Sequence, residues 1–97
     1  MVMKISDDEF LRQFRAKIEG KTWGIEYSLQ ERKIFLTKLI LPSEENEESE
    51  ETQLFIASVL NEIRNRKLKA MPTCSALKKF FKAHKEYYDL LPAGIRM

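Results

Sequence analysis

Several residue types that define classes of small proteins are scarce in this 97-residue chain. It has one cysteine, so an internal disulfide is impossible and the disulfide-stapled secreted miniproteins are excluded. With one histidine and one cysteine, it lacks the ligand spacings of zinc sites, and we predict no metal site. No apolar run approaches the roughly 20 residues that a membrane-spanning helix needs, so we expect no membrane partner.

Glycine is also scarce, and its three positions are informative. Gly20, Gly24 and Gly94 form neither a G-x-G pattern nor a P-loop, which excludes the nucleotide-binding folds that depend on those loops. The first residues, MVMKISDDE, include no apolar segment of the length that a secretory signal requires. We therefore expect a cytoplasmic protein.

The composition is otherwise that of one globular domain. Hydrophobic residues make up 43% of the chain and charged residues 33%, which is enough for a core and a solvated surface. A chain of this length has room for a single domain, assigned to residues 1–97. The net charge is +2, yet residues 44–51 (EENEESEE) hold six of the 15 acidic residues and no basic one. This block would repel phosphates, so we do not expect a nucleic-acid partner.

Alternating apolar residues predict three strands in the first half of the chain. The first covers residues 10–19 and the second residues 23–29, and a tight turn at Gly20-Lys21 joins them. The third, residues 33–41, is apolar at most positions, which is typical of a strand covered on both faces, and Pro42 ends it. The pattern predicts a β-meander.

The spacing of apolar residues then becomes helical. A helix is predicted over residues 50–66, with Ser49 as its N-cap and basic residues at its end. A short strand, residues 68–71, stops at Pro72, and a second helix follows from Ser75. The order is β-β-β-α-β-α, an α+β fold with a mostly antiparallel sheet and one parallel crossover.

Two side chains could carry chemistry. Cys74 stands at the start of the second predicted helix, a position that favours the thiolate, although a lone cysteine is more often a small buried hydrophobe. His84 is the chain's one candidate for a histidine base, but it lies ten residues further on and close to Tyr87, where a structural role is more common. The lysines between Lys78 and Lys85 could meet an anionic partner or form a solvated helix face.

Two segments near the end of the chain resemble a known family. Pro72-Thr73-Cys74-Ser75 and His84-Lys85-Glu86-Tyr87 are similar to the Pro-Thr-Cys-Ser and His-x-Glu-Tyr signatures of the small single-domain GNAT-like N-acetyltransferases. Weaker similarity extends over residues 14–91, at Ile25-Glu26-Tyr27 and Leu41-Pro42. The resemblance implies a truncated GNAT-like (acyl-CoA N-acyltransferase) fold and an acetyl-CoA-dependent N-acetyltransferase activity.

The resemblance also implies a site. Acetyl-CoA would lie in the gap between the third and fourth predicted strands, with its acyl group near Cys74, and the acceptor would be an amine that the sequence does not identify. Cys74 and His84 would be the catalytic residues, and transfer would be either direct or through a thioester on Cys74. The cofactor-binding residues would lie at the strand ends and the helix starts: Leu41, Ser49, Glu50, Glu51, Thr52, Thr73 and Ser75.

The chain departs from the family at the start of the central helix. The family carries a basic Arg-Gly-x-Gly turn there, and this chain has an acidic loop, residues 43–51, which we call the acidic segment. Glycines let the backbone approach phosphates and arginine neutralises them, whereas glutamates repel them.

Three functions therefore stay open. The first is an acetyltransferase with this degenerate cofactor loop. The second is a non-catalytic module of the same fold that has lost acetyl-CoA binding and serves a protein partner. The third is a small basic domain that binds an anionic partner through the lysines between Lys78 and Lys85.

Overall fold

The structure, a computed structural model, describes residues 4–92, and the sheet in this part of the chain has five strands. They lie side by side in chain order: β1 (Ser6–Asp8), β2 (Gln13–Ile18), β3 (Lys21–Gln30), β4 (Lys33–Ile40) and β5 (Lys69–Pro72). Neighbours are antiparallel except β4 and β5, which are parallel. Helix α1 (Glu50–Asn65) connects these two strands, helix α2 (Ser75–Ala83) follows β5, and a 3-10 helix covers Lys85–Leu90.

Both helices pack on the same face of the sheet. Their apolar sides and alternate residues of the strands form one core: Phe14, Ala16, Trp23, Ile25, Tyr27, Ile34, Leu36, Phe55, Ile56, Val59, Leu60, Ile63, Ala70, Leu77, Phe80 and Phe81. The strand residues between them point to the opposite face, where Arg15, Lys17 and Lys38 are exposed. The described chain is thus a two-layer α/β sandwich with one sheet face uncovered. Among residues 4–92, no helix is long and apolar enough to cross a membrane.

The predicted order of elements is confirmed, with one strand added. The central helix ends at Asn65, one residue before the predicted end, and β5 begins one residue later than predicted. The added strand is β1, which pairs with residues 13–15 of β2. Residues 9–12 form the turn between them, so the first predicted strand begins at Gln13 and not at residue 10. The sequence Ser-Asp-Asp of β1 has low strand propensity, which is why pattern alone does not find it.

The turn between β2 and β3 is centred on Glu19-Gly20, one residue earlier than predicted. Both residues have positive φ, 50° and 80°, which is the combination that a type I′ hairpin turn requires. Ile18 therefore pairs with Lys21. This register keeps Lys21 and Trp23 on the face of the sheet that the helices cover.

The expectation that the third predicted strand is covered on both faces is wrong. Phe35 is only half-buried and Lys38 is exposed on the face opposite the helices. The pairing of β4 with β3 skips Thr37, which is a β-bulge. The extra residue shifts the alternation, so Leu36 before the bulge and Leu39 after it both face the core. The core-facing residues before the bulge and those after it therefore follow different alternations, and together they make the apolar run of β4 nearly continuous.

A polar cluster fastens β1 to the rest of the domain. The Tyr27 hydroxyl donates to the Asp7 carboxylate at 2.6 Å, and the guanidinium of Arg66, at the end of α1, donates to the same carboxylate at 2.8 Å. The Asp7 side chain is only 12% exposed, so these bonds lie in a partly desolvated setting. The Arg66 guanidinium also lies over the Phe14 ring, 5.3 Å from its centroid. Two side chains, those of Tyr27 and Arg66, therefore hold β1 through Asp7, although its ladder with β2 is only three residues long.

Tyr27 gives a pH-dependent prediction. Burial, and after it the hydrogen bond to Asp7, raises the pKa of Tyr27 from 10.0 to about 12. Because the folded state keeps this proton to higher pH than the unfolded state, the resulting stabilisation is present below pH 10 and is lost as the pH rises through 12. The difference in tyrosinate absorbance between the wild type and Tyr27→Phe should show a group that titrates near pH 12. Asp7→Asn should lower this pKa only in part, because burial remains; an unshifted Tyr27 in the folded protein would contradict the assignment.

Candidate functional site

Strands β4 and β5 separate at one end of the sheet. Their pairing covers residues 33–36 and 69–72. Thr73 closes it, since its backbone N–H and its hydroxyl both donate to the Leu36 carbonyl, at 3.0 and 3.1 Å. Beyond this point β4 continues to Ile40 while the chain leaves β5 for α2, so the last part of β4 has no strand partner on that side among the strands described. The result is an opening between two parallel strands.

Cys74 and its two neighbours lie at the mouth of this opening. Cys74 is the N-cap of α2, with extended backbone (φ −91°, ψ 136°). Its side chain is half-buried and packs against the edge of the core. Thr73 and Ser75 on either side of it are exposed, and Leu41, just past β4, is half-buried against the same core. Four of the residues predicted to contact acetyl-CoA or its acyl group therefore lie around one opening.

The first turn of α1 carries the remaining predicted cofactor residues. Ser49 is the N-cap, as predicted, but its hydroxyl accepts from the Asn46 amide at 3.1 Å and does not cap the helix. The two glutamates after it are exposed. Thr52 is fully buried, and its hydroxyl accepts from the Trp23 indole N–H at 2.9 Å. Burial therefore keeps Thr52 away from a ligand, whereas Glu50 and Glu51 are exposed; the first amides of a helix have no partner within it.

The acidic segment is tied to a lysine on each side of α1. The carboxylate of Glu45, whose side chain is only 9% exposed, accepts a hydrogen bond from Lys21 Nζ at 2.9 Å. This hydrogen bond lowers the pKa of Glu45 and raises the pKa of Lys21. On the other side, the carboxylate of Glu47 lies 3.9 Å from Lys79 Nζ on α2. Two cations from separate elements thus contact the segment.

A cavity of about 370 Å³ lies between the acidic segment and α2. It is lined by Glu47, Glu48 and Gln53 on one side and by Ala76, Lys79, Phe80 and Ala83 on the other. The α2 side is mostly apolar and the opposite side is acidic, and Lys79 joins them through Glu47. A volume of this size is at the small end of ligand sites.

His84 lies at the far end of α2 from Cys74. Ten residues separate the two in sequence, which corresponds to about 15 Å at the rise of an α-helix. The imidazole stacks on the Phe80 ring with 4.1 Å between centroids, and its Nδ1 donates to the Phe80 carbonyl at 3.0 Å. The structure therefore does not bring the two predicted catalytic residues together. Within residues 4–92, no three His, Cys, Asp or Glu side chains are grouped so that they could hold a metal ion.

Arg64 holds the 3-10 helix that carries the end of the His-x-Glu-Tyr signature. Its guanidinium donates to the Asp89 carboxylate at 2.7 Å and to the Glu86 carbonyl at 3.1 Å. It also lies over the ring of Tyr87, which is buried, at 5.2 Å from the centroid. In this arrangement Glu86 and Tyr87 of the signature hold the 3-10 helix against α1.

Sequence reasoning missed Lys21 and Arg64. A signal existed for Lys21, because it alternates with Trp23 and Ile25 and so shares the covered face of β3 next to the start of α1. No local signal existed for the contacts of Arg64 with the 3-10 helix, because Glu86 and Asp89 are 22 and 25 positions away in sequence. The lysines between Lys78 and Lys85 are exposed, as a solvated helix face would be.

A two-layer sandwich whose parallel strands separate beside the start of a helix has the architecture of an acyl-CoA N-acyltransferase. Residues 13–90 match the family described as GCN5-related N-acetyl-transferase, and the chain belongs to that family. It is also similar to the NMR solution structure of a GCN5-like candidate N-acetyltransferase from Staphylococcus aureus, with a TM-score of 0.68 and 20% identity over 97% of this chain and 91% of that one. At this identity the likeness shows a shared fold, which confirms the truncated GNAT-like fold. No curated protein matches the chain.

Proposed function

We propose that the protein is an acetyl-CoA-dependent N-acetyltransferase that receives the acyl end of acetyl-CoA in the opening between β4 and β5. The observation that carries the proposal is the position of Cys74 at the mouth of that opening. The unpaired edge of β4 supplies backbone N–H and C=O groups that can pair with an extended, amide-containing ligand, as an added strand would. Membership of the acetyltransferase family supports the same chemistry.

The predicted cofactor residues have distinct roles in this proposal. Leu41 borders the path of the ligand along β4, and Thr73 and Ser75 flank the acyl group. The backbone amides of Glu50 and Glu51, the exposed residues that follow Ser49, face the phosphates; Thr52 supports them from the core. A cytoplasmic location fits a chain whose single thiol must stay reduced.

Two routes of acetyl transfer are compatible with Cys74 at this position. In direct transfer, the acceptor nitrogen attacks the thioester carbonyl, the carbon–sulfur bond breaks, and the CoA thiolate takes the proton that the nitrogen loses. In the second route, the Cys74 thiol loses its proton, the thiolate attacks the acetyl carbonyl, and the departing CoA thiolate takes up that proton. The amine then attacks the new thioester, and the released Cys74 thiolate takes the proton that the nitrogen loses. His84 lies outside the opening, and its catalytic role stays a prediction from the resemblance.

An NMR titration of the labelled protein with acetyl-CoA at moderate salt tests the proposal. We expect saturable shifts of the backbone amides of residues 41–57 and 70–76, because these segments surround the opening and the start of α1. Amides of the β1–β2 turn, at the other end of the sheet, are the internal control. Absence of shifts at millimolar acetyl-CoA would reject the proposal.

A second candidate function is a non-catalytic interaction module with the same fold. The observation that favours it is the acidic segment, which places six glutamates where the resembled family has a basic turn. This module would bind a protein partner and would not bind acetyl-CoA. Tight, saturable binding of acetyl-CoA in the same titration would exclude it.

A further inference from the structure

Lys21 and Lys79 stand on opposite sides of the first turn of α1. Lys21 is the first residue of β3, at the end of the sheet where β4 finishes, and Lys79 lies on α2 and lines the 370 Å³ cavity. Their side chains are 38% and 76% exposed, so both ammonium groups can reach solvent. Each is engaged by the acidic segment, through Glu45 and Glu47 respectively.

The charge balance of the segment is unfavourable for phosphates as it stands. It contains six glutamates, and the lysines that contact it are Lys21 and Lys79 among the described residues. Acetyl-CoA carries a diphosphate and a 3′-phosphate, so it would meet net negative charge on its way to the helix start. If the two lysines left the glutamate carboxylates and contacted phosphates instead, they would bind the ligand.

We propose that Lys21 and Lys79 bind the phosphates of acetyl-CoA and that Glu45 and Glu47 occupy them in the free protein, so that the acidic segment competes with the cofactor. The proposal rests on the proposed function and adds its regulation. Binding breaks the ion pairs of Lys21 with Glu44 and Glu45 and that of Lys79 with Glu47, and it gives each lysine a phosphate partner. The segment acts as a built-in competitor whose strength depends on its charge.

The salt dependence of binding distinguishes this arrangement from an ordinary phosphate site. A basic site loses affinity for phosphates as salt is added, because screening weakens attraction. Here repulsion between the acidic segment and the phosphates dominates at low salt, so screening should leave the affinity of the wild type unchanged or increase it. The double variant Glu45→Gln/Glu47→Gln should bind acetyl-CoA at least about 10-fold more tightly than the wild type at low salt. Because it keeps four glutamates beside the two lysines, its advantage over the wild type should shrink as screening by salt increases.

The experiment is calorimetric titration of the wild type and the double variant with acetyl-CoA, and separately with inorganic pyrophosphate, at low and moderate salt. The matched control is Glu9→Gln/Glu31→Gln, which removes the same charge from exposed positions in the turns at the other end of the sheet. Adding Lys21→Gln to the double variant should reduce its gain in affinity for both ligands, and adding Lys21→Gln together with Lys79→Gln should abolish it. The control variant should have the same affinity for both ligands, and the same salt dependence, as the wild type.

The outcomes separate the two proposals. A gain in affinity for pyrophosphate and acetyl-CoA in the double variant and not in the control, largest at low salt, supports competition by the acidic segment. Pyrophosphate binding by the double variant without acetyl-CoA binding by any variant supports the competitor and rejects the acetyltransferase. Equal acetyl-CoA affinity and salt dependence in all variants would contradict competition by the acidic segment. The proposed acetyltransferase function would not be affected. If no variant binds either ligand, both proposals fail.

Discussion

On the thioester route, the Cys74→Ala variant should acetylate an acceptor amine at least about 100-fold more slowly than the wild type, because the acetyl group then passes through the Cys74 thiol. Cys74 is the chain's one thiol, and it lies where β4 and β5 separate. Intact-mass analysis of the protein after incubation with acetyl-CoA should show one added acetyl group on the wild type and none on Cys74→Ala.

Cys74→Ser is the matched control for shape. Serine is similar in size and replaces the thiol with a hydroxyl, which is a far weaker nucleophile than a thiolate, so on the thioester route this variant should be nearly as slow as Cys74→Ala. Both variants should keep the amide spectrum of the wild type, since the thiol is half-buried at the edge of the core and has no disulfide partner. Undiminished turnover by Cys74→Ala would eliminate the thioester route and leave direct transfer.

The Phe81→Ala substitution should lower the free energy of unfolding by about 3–5 kcal/mol. Phe81 is fully buried on α2, in the core that the helices share with the sheet. A loss of this size is a large part of the total stability of a small domain, which is about 5–15 kcal/mol. Helix α2 has nine residues and depends on this packing, since isolated helices so short are not stable in water.

Urea unfolding, followed by far-ultraviolet circular dichroism, measures the Phe81 effect. Lys82→Ala is the matched control, because Lys82 is the next residue on the same helix and is exposed; its effect should stay within about 0.5 kcal/mol. A loss of less than about 1 kcal/mol in Phe81→Ala would show that α2 is not packed as described.

The regular elements could be predicted because their signals are local. Helix α1 repeats apolar residues at helical spacing over four turns, and Ser49 and the basic residues mark its two ends, so its bounds were predicted to within one residue. Apolar side chains alternate along β2 and from Trp23 to Tyr27 in β3, because one face of the sheet is covered by the helices and the other is not. Periodicity of this kind is a direct consequence of facing a core.

The features that the sequence pattern does not predict depend on contacts between residues far apart in sequence. Strand β1 has no apolar alternation and is held through Asp7 by a residue 59 positions away. The bulge at Thr37 has no glycine to mark it and is defined by the pairing of two strands. In the candidate site, Cys74 could be found from its motif, whereas Lys21 becomes part of the site only when the acidic segment folds back to β3.

The hydrogen bond between Trp23 and Thr52 makes the fluorescence of Trp23 sensitive to changes at the start of α1. Trp23 is the chain's one tryptophan, and its indole N–H is bonded to a hydroxyl in the first turn of α1. The wavelength of indole emission depends on the dipoles around that N–H. An anion that binds at the start of α1, or a movement of the acidic segment there, should therefore change the emission wavelength and intensity of Trp23. No added label is needed to measure this change.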